Sequence, residues 1–301
     1  MNISFKQLKI FVKLYELKSF TAAADALYMT QSAVSKQCFE LESEIGFPLF
    51  ERSTRRVEPL NSAVEFYAFA TEMLATLNAA SRSLDDLRSL KTGYLNIAAT
   101  PLIFYGLICD VVSEFSSRYP EIKTEIFEIS TNLAIEYVMN GKVDIAIVML
   151  DQPESRLISE ELFIDQIFLA CSPNHEFSQR QQIMLSDLNQ QKFIMFRDDN
   201  NLGKITKEIL DKKQINITSV INIGAMISAL GLVKNNTGVS FVPEYARNLC
   251  EQINIPLIAI SDPEMPKRTL YLIRRKNIRL SQSANTFVSM LKTHLINRKN
   301  K

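Results

Sequence analysis

Tryptophan is absent from the 301 residues, histidine occurs twice and cysteine four times, and these scarcities narrow the functions open to the chain. His175 and His294 lie far apart, and neither is surrounded by residues at metal-ligand spacing. There is no glycine-rich phosphate loop, no Gly-x-Ser-x-Gly elbow and no His–carboxylate spacing, which argues against an enzyme. Cys38, Cys109, Cys171 and Cys250 are scattered and form no Cys-x-x-Cys pair, so they read mostly as small buried hydrophobes. A redox role for Cys171 or Cys250 is the other reading. An excess of one charge is missing too, since 34 Lys and Arg face 33 Asp and Glu. No apolar run approaches the roughly 18 residues of a membrane span. A secretory signal core and low-complexity tracts are also lacking, so the expected setting is the cytoplasm, with no membrane, metal or cofactor.

Against that background, the stretch "SFTAAADALYMTQSAVSKQCFELESEIG" stands out. Val34, Cys38, Leu41 and Ile45 form one helical stripe, while Gln31, Ser32, Ser35 and Lys36 cluster at the opposite face near the helix start. Thr30 can cap that start and Gly46 can close the end. Upstream, Ser19 can cap an alanine-rich helix whose small side chains permit a close, steep crossing over the "YMT" turn. The pattern is that of a helix-turn-helix, whose second helix enters the major groove. Gln31 can pair with adenine, Lys36 can donate to guanine, and the serines suit bases or phosphates. A solvated polar face on a helical hairpin is the competing reading.

"FPLFERSTRRVEPL" follows, with short apolar runs about a turn and Arg52, Arg55 and Arg56 close together. This predicts a small hairpin wing suited to phosphates or an adjacent minor groove. Residues 1–60 hold eight Lys and Arg against seven Asp and Glu, so DNA contact must rest on local clustering. Ala63, Phe66, Ala70, Met73, Leu77, Ala80, Leu84 and Leu87 then alternate steps of three and four, with no Pro or Gly inside. That repeat predicts a dimerising linker helix, with Phe66, Met73, Leu77, Leu84 and Leu87 on its seam. A dimer presents two reading heads to two half-sites.

From "KTGYLNIAATP" onward, strands alternate with helices, implying βαβ units and a parallel sheet. Strands are expected at "YLNIAAT", "IKTEIFEI", "DIAIVML", "KFIMF", "ITSVINI", "VSFVP" and "KRTLYLIRRK". Helices are expected from Pro101 to about Arg118, near 201–213 and 225–235, and at the C-terminus. "LFIDQIFLACS" reads as a crossover into a second lobe. Two such lobes enclose a cleft suited to a small ligand. Thr100 followed by Pro101 fits a helix start, and Ser130, Thr131 and Asn132 open another. Free N–H groups at both starts favour an anion such as a carboxylate, though Thr100 and Thr131 as mere caps is the alternative.

The stretch "FVKLYELKSFTAAADALYMTQSAVSKQCFELESEIGFPLFERSTRRVEP" resembles the N-terminal winged helix-turn-helix of LysR-type transcriptional regulators, without a gap from about residue 5 to 60. The resemblance implies DNA contacts at Gln31, Ser32, Ser35 and Lys36, with wing contacts at Arg52 and Arg55. Lys36 stands where the family usually has arginine, exchanging a planar fork for a point charge. Asn61 and Val64 replace the usual Thr and Gly. Phe39 occupies a position where polar residues are commoner, and both contact with a thymine methyl and packing on a neighbouring element are open to it. The chain after residue 93 is similar to the family's effector-binding domain through "YPEIKTEIFEISTNLAIEYVMNGKVDIAI", "NHEFS" and "ISALGLVKNNTGVSFVP". That similarity implies effector contacts at Thr100, Thr131, the loop at Phe196 and Arg197, and the turn at Met226. Asn236 replaces a usual glycine, and asparagine tolerates the left-handed backbone such a turn needs.

The expected architecture is a winged helix-turn-helix over 1–60, a linker helix over 61–90 and a two-lobed, periplasmic-binding-protein-like α/β domain over 91–301. Lobe I is assigned about 91–164 and 265–301, and lobe II about 165–264. The expected function is an effector-responsive regulator that binds a dyad operator in double-stranded DNA, as a homodimer or a tetramer of two dimers. A small-molecule-binding or enzymatic α/β protein with an incidental helical domain is the competing class. A DNA-bound structural protein without a ligand is a third.

Overall fold

Reciprocal capping starts the first helix: Ser4 Oγ accepts from the Gln7 N–H, and Gln7 Oε1 accepts from the Ser4 N–H. The computed structural model describes residues 2–52, 57–88, 93–197, 201–276 and 278–299. Helix α1 (Phe5–Leu17) buries Leu8, Ile10, Phe11 and Leu14 against α2 (Phe20–Ala26) and α3 (Gln31–Ile45). Ala23 and Ala24 sit fully inside that contact, so small side chains do let the helices approach closely. Strands β1 (Phe50–Arg52) and β2 (Val57–Pro59) pair antiparallel as the wing hairpin, and α4 (Asn61–Arg88) leads away from it.

The remaining chain runs through β3 (Gly93–Ala99), α5 (Pro101–Ile103), a π-helical turn (Phe104–Ile108), α6 (Cys109–Arg118), β4 (Ile122–Glu128), α7 (Thr131–Met139), β5 (Ile145–Leu150) and β6 (Leu157–Asp165). After Gln166 it continues as β7 (Ile167–Ala170), β8 (Gln182–Ile183), β9 (Lys192–Phe196), α8 (Asn201–Lys212), β10 (Ser219–Ile223), α9 (Met226–Lys234) and β11 (Ser240–Pro243). A 3₁₀ turn (Glu244–Ala246), α10 (Arg247–Gln252) and β12 (Leu257–Ile260) precede β13 (Arg268–Arg275) and α11 (Gln282–Lys299).

These strands divide between two lobes. In lobe I, one sheet has the order β4-β3-β5-β13-β6, with β3 parallel to β4 and β5, and β13 antiparallel to β5 and β6. Its two faces have separate cores. Phe115 of α6 and Phe287, Leu291 and Leu295 of α11 fill one, while Ala134 and Val138 of α7 fill the other. In lobe II, β11-β7-β12-β8 form a sheet, and β9 pairs parallel with β10 alongside. A bridge between Phe193 and Val239 joins the two sets, and Phe177, Phe193, Phe196 and Phe241 share their core.

One expectation was too simple. The helix from Pro101 to Arg118 contains a π turn over Phe104–Ile108, and within it Gly106 lies against the Tyr245 backbone carbonyl, which any Cβ there would overlap. The expected crossover at "LFIDQIFLACS" is formed by β6 ending in lobe I and β7 starting in lobe II, with Gln166 between them. Asn236 does adopt the left-handed backbone, with φ 57°.

Candidate nucleic-acid interface and effector cleft

Helix α3 is held by its ends and by its buried side. Thr30 Oγ1 accepts from the Ala33 N–H at 3.3 Å, and Gly46 closes the helix at φ 81° with its N–H on the Glu42 carbonyl. Val34, Cys38 and Leu41 are buried, which turns Gln31, Ser32 and Lys36 to solvent and leaves Ser35 half-exposed beside them. Free N–H groups and the positive dipole end at this start favour a phosphate, and the side chains above them offer base-edge donors and acceptors. Lys36 Nζ lies 3.9 Å from Glu40 and its side chain is 76% exposed. An exposed pair of that kind is worth about 0–1 kcal/mol, so a DNA partner can replace it.

Glu42 ties the wing to this helix, its Oε1 accepting from the N–H groups of Leu49 (2.8 Å) and Phe50 (3.2 Å). Arg52 pairs in register with Val57 at the tip end of the hairpin. Arg55 and Arg56 lie outside the described residues.

Helix α4 serves its own domain first. Ala63 and Ala70 are fully buried, Phe66 lies 5.0 Å from Phe11, and Tyr67 stacks on Tyr15 at 4.1 Å. Those neighbours take Ala63, Phe66 and Ala70, three positions of the heptad stripe, into the chain's own core. Phe69 is 63% exposed and Met73 41% exposed, so the outward stripe runs through Phe69, Met73, Thr76 and Ala80. The alternation of threes and fours could not tell Phe69 from Ala70, because the choice depends on where α1 packs. Leu77 is half-buried, and the side chains of Leu84 and Leu87 lie outside the described residues. Further along, Ala75 is buried against Gly141 of lobe I.

The residues expected to contact an effector lie on two edges. On lobe I, β3 and β4 run parallel and end side by side, with the Ile129 N–H on the Ala99 carbonyl. The helices that follow pack on opposite faces of the sheet, which makes this carboxyl edge a topological switch point, the usual ligand crevice of open α/β sheets. Thr100 has N-cap backbone geometry with Pro101 after it, yet its side chain makes no cap bond. Ser130, not Thr131, caps α7 by accepting from the Leu133 N–H, and Thr131 is the first helical residue. Capping therefore occupies neither threonine hydroxyl. Leu102 packs on the cores of both lobes, which sets Thr100 and Pro101 at the lobe boundary.

On lobe II, the ends of β9 and β10 are in register at Phe196 and Ile223. Phe196 is buried in the lobe II core, which removes its side chain from ligand contact. Arg197 is exposed, and its guanidinium lies across Gly224, where a Cβ would come within 2.8 Å of Nη2. Met226 opens α9 behind Ala225, which has no side chain able to cap it, so that helix start also keeps free N–H groups. A contact that no sequence pattern indicates joins the lobes: Asn201 Nδ2 donates to Asp151 Oδ1 at 2.6 Å.

Where the chain crosses between lobes, Asp165 of β6 pairs in register with Arg268 of β13. Asp165 is fully buried, Arg268 Nη1 stands 3.6 Å from its Oδ2, and its Oδ1 accepts from the Glu244 N–H at 3.1 Å. Burial pushes this carboxyl up to about 7, against the pull of Arg268 and with a push from Glu244. The thiols of Cys171 and Cys250 are buried, which pushes them up to about 11 and about 12 and works against the thiolate a redox switch needs. His175 Nδ1 accepts from the Phe177 N–H and so shapes a turn. No group of residues able to hold a metal ion occurs among the described residues, and none of their helices is long and apolar enough to cross a membrane.

Comparison with known proteins finds two family matches along the chain. Residues 5–62 match the family described as bacterial regulatory helix-turn-helix protein, lysR family, and residues 88–296 match the LysR substrate binding domain. A probable RuBisCO transcriptional regulator of Cyanidioschyzon merolae is 29% identical, over 97% of this chain and 98% of the relative. Among solved structures, a full-length OxyR variant from Pseudomonas aeruginosa superposes with TM-score 0.72 at 19% identity, covering 98% of this chain and 95% of the other. Full-length CbnR in complex with its target DNA superposes with TM-score 0.66 at 18% identity, covering 97% of this chain and 100% of the other.

Proposed function

This chain belongs to the LysR family, and from that premise we propose that Gln31, Ser32, Ser35 and Lys36 read a dyad operator while the C-terminal cleft senses an organic anion. It is a DNA-binding transcriptional regulator with an effector-binding domain; its family and relatives are regulators and not enzymes. The observation that carries the DNA reading is the exposed polar start of α3, held by buried Val34, Cys38 and Leu41 with a wing hairpin beside it. Arg52, Arg55 and Arg56 of the wing would take phosphates or the neighbouring minor groove. Residues 1–60 form the reading head, 61–90 the linker helix and 91–301 the sensor, with lobe II spanning about 165–264.

Support for an anionic effector comes from Thr100 and Thr131, whose hydroxyls are spared from capping, and from Arg197 beside the uncapped start of α9. Pro101 and Met226 would border the ligand, and Phe196 would act only by holding Arg197 in place. Two chains would join along α4 so that two heads meet two half-sites, and two such dimers would form a tetramer. A regulator that meets the chromosome works in the cytoplasm, with no membrane partner. Selection from random duplex DNA with the full-length protein tests the reading: a sequence with two related half-sites is expected. Recovery of unrelated sequences at equal affinity would reject it.

A further inference from the structure

The outward face of α3 does not end with its polar start. Phe39 lies four residues beyond Ser35 and seven beyond Ser32, so it projects from the same face one turn deeper. It is 63% exposed, which rules out the packing role within this chain. The ring borders a shallow groove lined by Asn2, Gln7, Glu40, Ser43 and Glu44, none of which covers it. From Gln31 to Phe39 the helix advances eight residues, about 12 Å, which is also about the width of the major groove.

Taking DNA binding through α3 as given, we infer that Phe39 is a specificity-determining residue that reads the 5-methyl group of a thymine in the major groove. Three observations favour a base over other occupants. Phe39 is continuous with the DNA face of Ser32, Ser35 and Lys36. Its ring offers a phosphate no charge or hydrogen bond, and the neighbouring Glu40 carboxylate, held by Gln37 at 2.6 Å, repels one. The thymine methyl is the one apolar feature on the base edges of that groove, and apolar side chains read it by contact. Lys36, one turn earlier, would place its donor on a nearby base, so methyl and donor would be read together.

Thymine-to-deoxyuridine exchange removes that methyl and nothing else. Operators selected from random duplexes by the full-length protein would be resynthesised with each thymine exchanged in turn, and binding measured for wild type, Phe39→Ala and Phe39→Leu. At one thymine in each half-site the exchange should weaken wild-type binding about fourfold, the worth of one buried methyl. Phe39→Ala should bind the thymine and deoxyuridine forms equally, and Phe39→Leu should keep part of the preference. Dispensable methyls, a methyl preference that survives Phe39→Ala, or an equal loss on both forms would overturn the inference while leaving operator recognition standing. Failure to select any sequence would instead reject recognition through α3, and this inference with it.

Discussion

Asn201 and Asp151 stand fifty residues apart in sequence and meet at 2.6 Å, the amide of one donating to the carboxylate of the other. Asn201 begins α8 on lobe II, and Asp151 follows β5 on lobe I, so this bond spans the two lobes where both present strand ends. A hydrogen bond to a charged group contributes roughly 1.5–3 kcal/mol when sheltered and less in water. If it biases the cleft toward closure, Asp151→Ala should lower effector affinity by up to about tenfold without changing the unfolding temperature of lobe I. Calorimetric titration with an organic acid that binds wild type checks this, and unchanged affinity would make the bond incidental.

Arg197, Thr100 and Thr131 are expected to share the ligand. Thr100→Val or Thr131→Val should cost ten- to hundredfold in effector affinity, because each removes a hydrogen bond to a charged group. Operator affinity of the unliganded protein should stay near normal, since the reading head is a separate unit. Arg197→Ala should weaken a carboxylate more than its neutral amide analogue, and equal losses for the two ligands would remove Arg197 from the site.

The Asp165 carboxyl carries a pH signature. Its folded value, about 7, lies above the roughly 3.9 of an unfolded aspartate, so the folded state binds the extra proton between those limits. The contribution of Asp165 to stability is therefore largest in acid, falls as pH rises from about 4 to about 7, and is flat above. Asp165→Asn should lack that slope, leaving a shallower change in melting temperature from pH 5 to pH 8. Identical slopes would mean that Arg268 holds the carboxylate ionised throughout.

On α4 the two sides should respond differently to charge. Phe69→Lys or Met73→Lys should leave the head folded and weaken dimerisation at least about hundredfold. Burying an aromatic or methionine side chain contributes roughly 1.5–3 kcal/mol, and a two-fold interface counts it twice. Leu77→Lys should act in the same direction. Ala70→Lys should instead lower the melting temperature of the head, because Ala70 is fully buried beneath α1. Sedimentation and thermal melts separate these outcomes, and a dimer that survives Phe69→Lys and Met73→Lys would place the interface elsewhere.

What could be read from the sequence was local. The caps at Ser19, Thr30 and Gly46 and the Val34–Cys38–Leu41 stripe depend on neighbours in the chain, and they appear as expected. The departures depend on residues far away in sequence. Gly106 of the π turn meets Tyr245, the outward face of α4 follows from Phe11 and Tyr15, and the short β8 and β12 from pairing within lobe II. The candidate site divides the same way. Thr100 was suggested by the threonine–proline helix start and Arg197 by the family resemblance alone, whereas Phe196 is buried in a core shared with Phe241, which only the packed lobe assembles. Asp151 and Asn201 could not be paired at all before the lobes were assembled.

Recognition of DNA by the start of α3 is tested most directly by comparing Lys36→Ala and Gln31→Ala with Arg52→Ala on a selected operator and on random duplex, across a series of salt concentrations. Each α3 substitution should cost about 1–3 kcal/mol on the operator and little on random DNA, lowering the specificity ratio. Arg52→Ala should weaken both alike and reduce the salt slope by about one. Operator affinity unchanged by Lys36→Ala and Gln31→Ala in folded protein would contradict the assignment of this face to DNA.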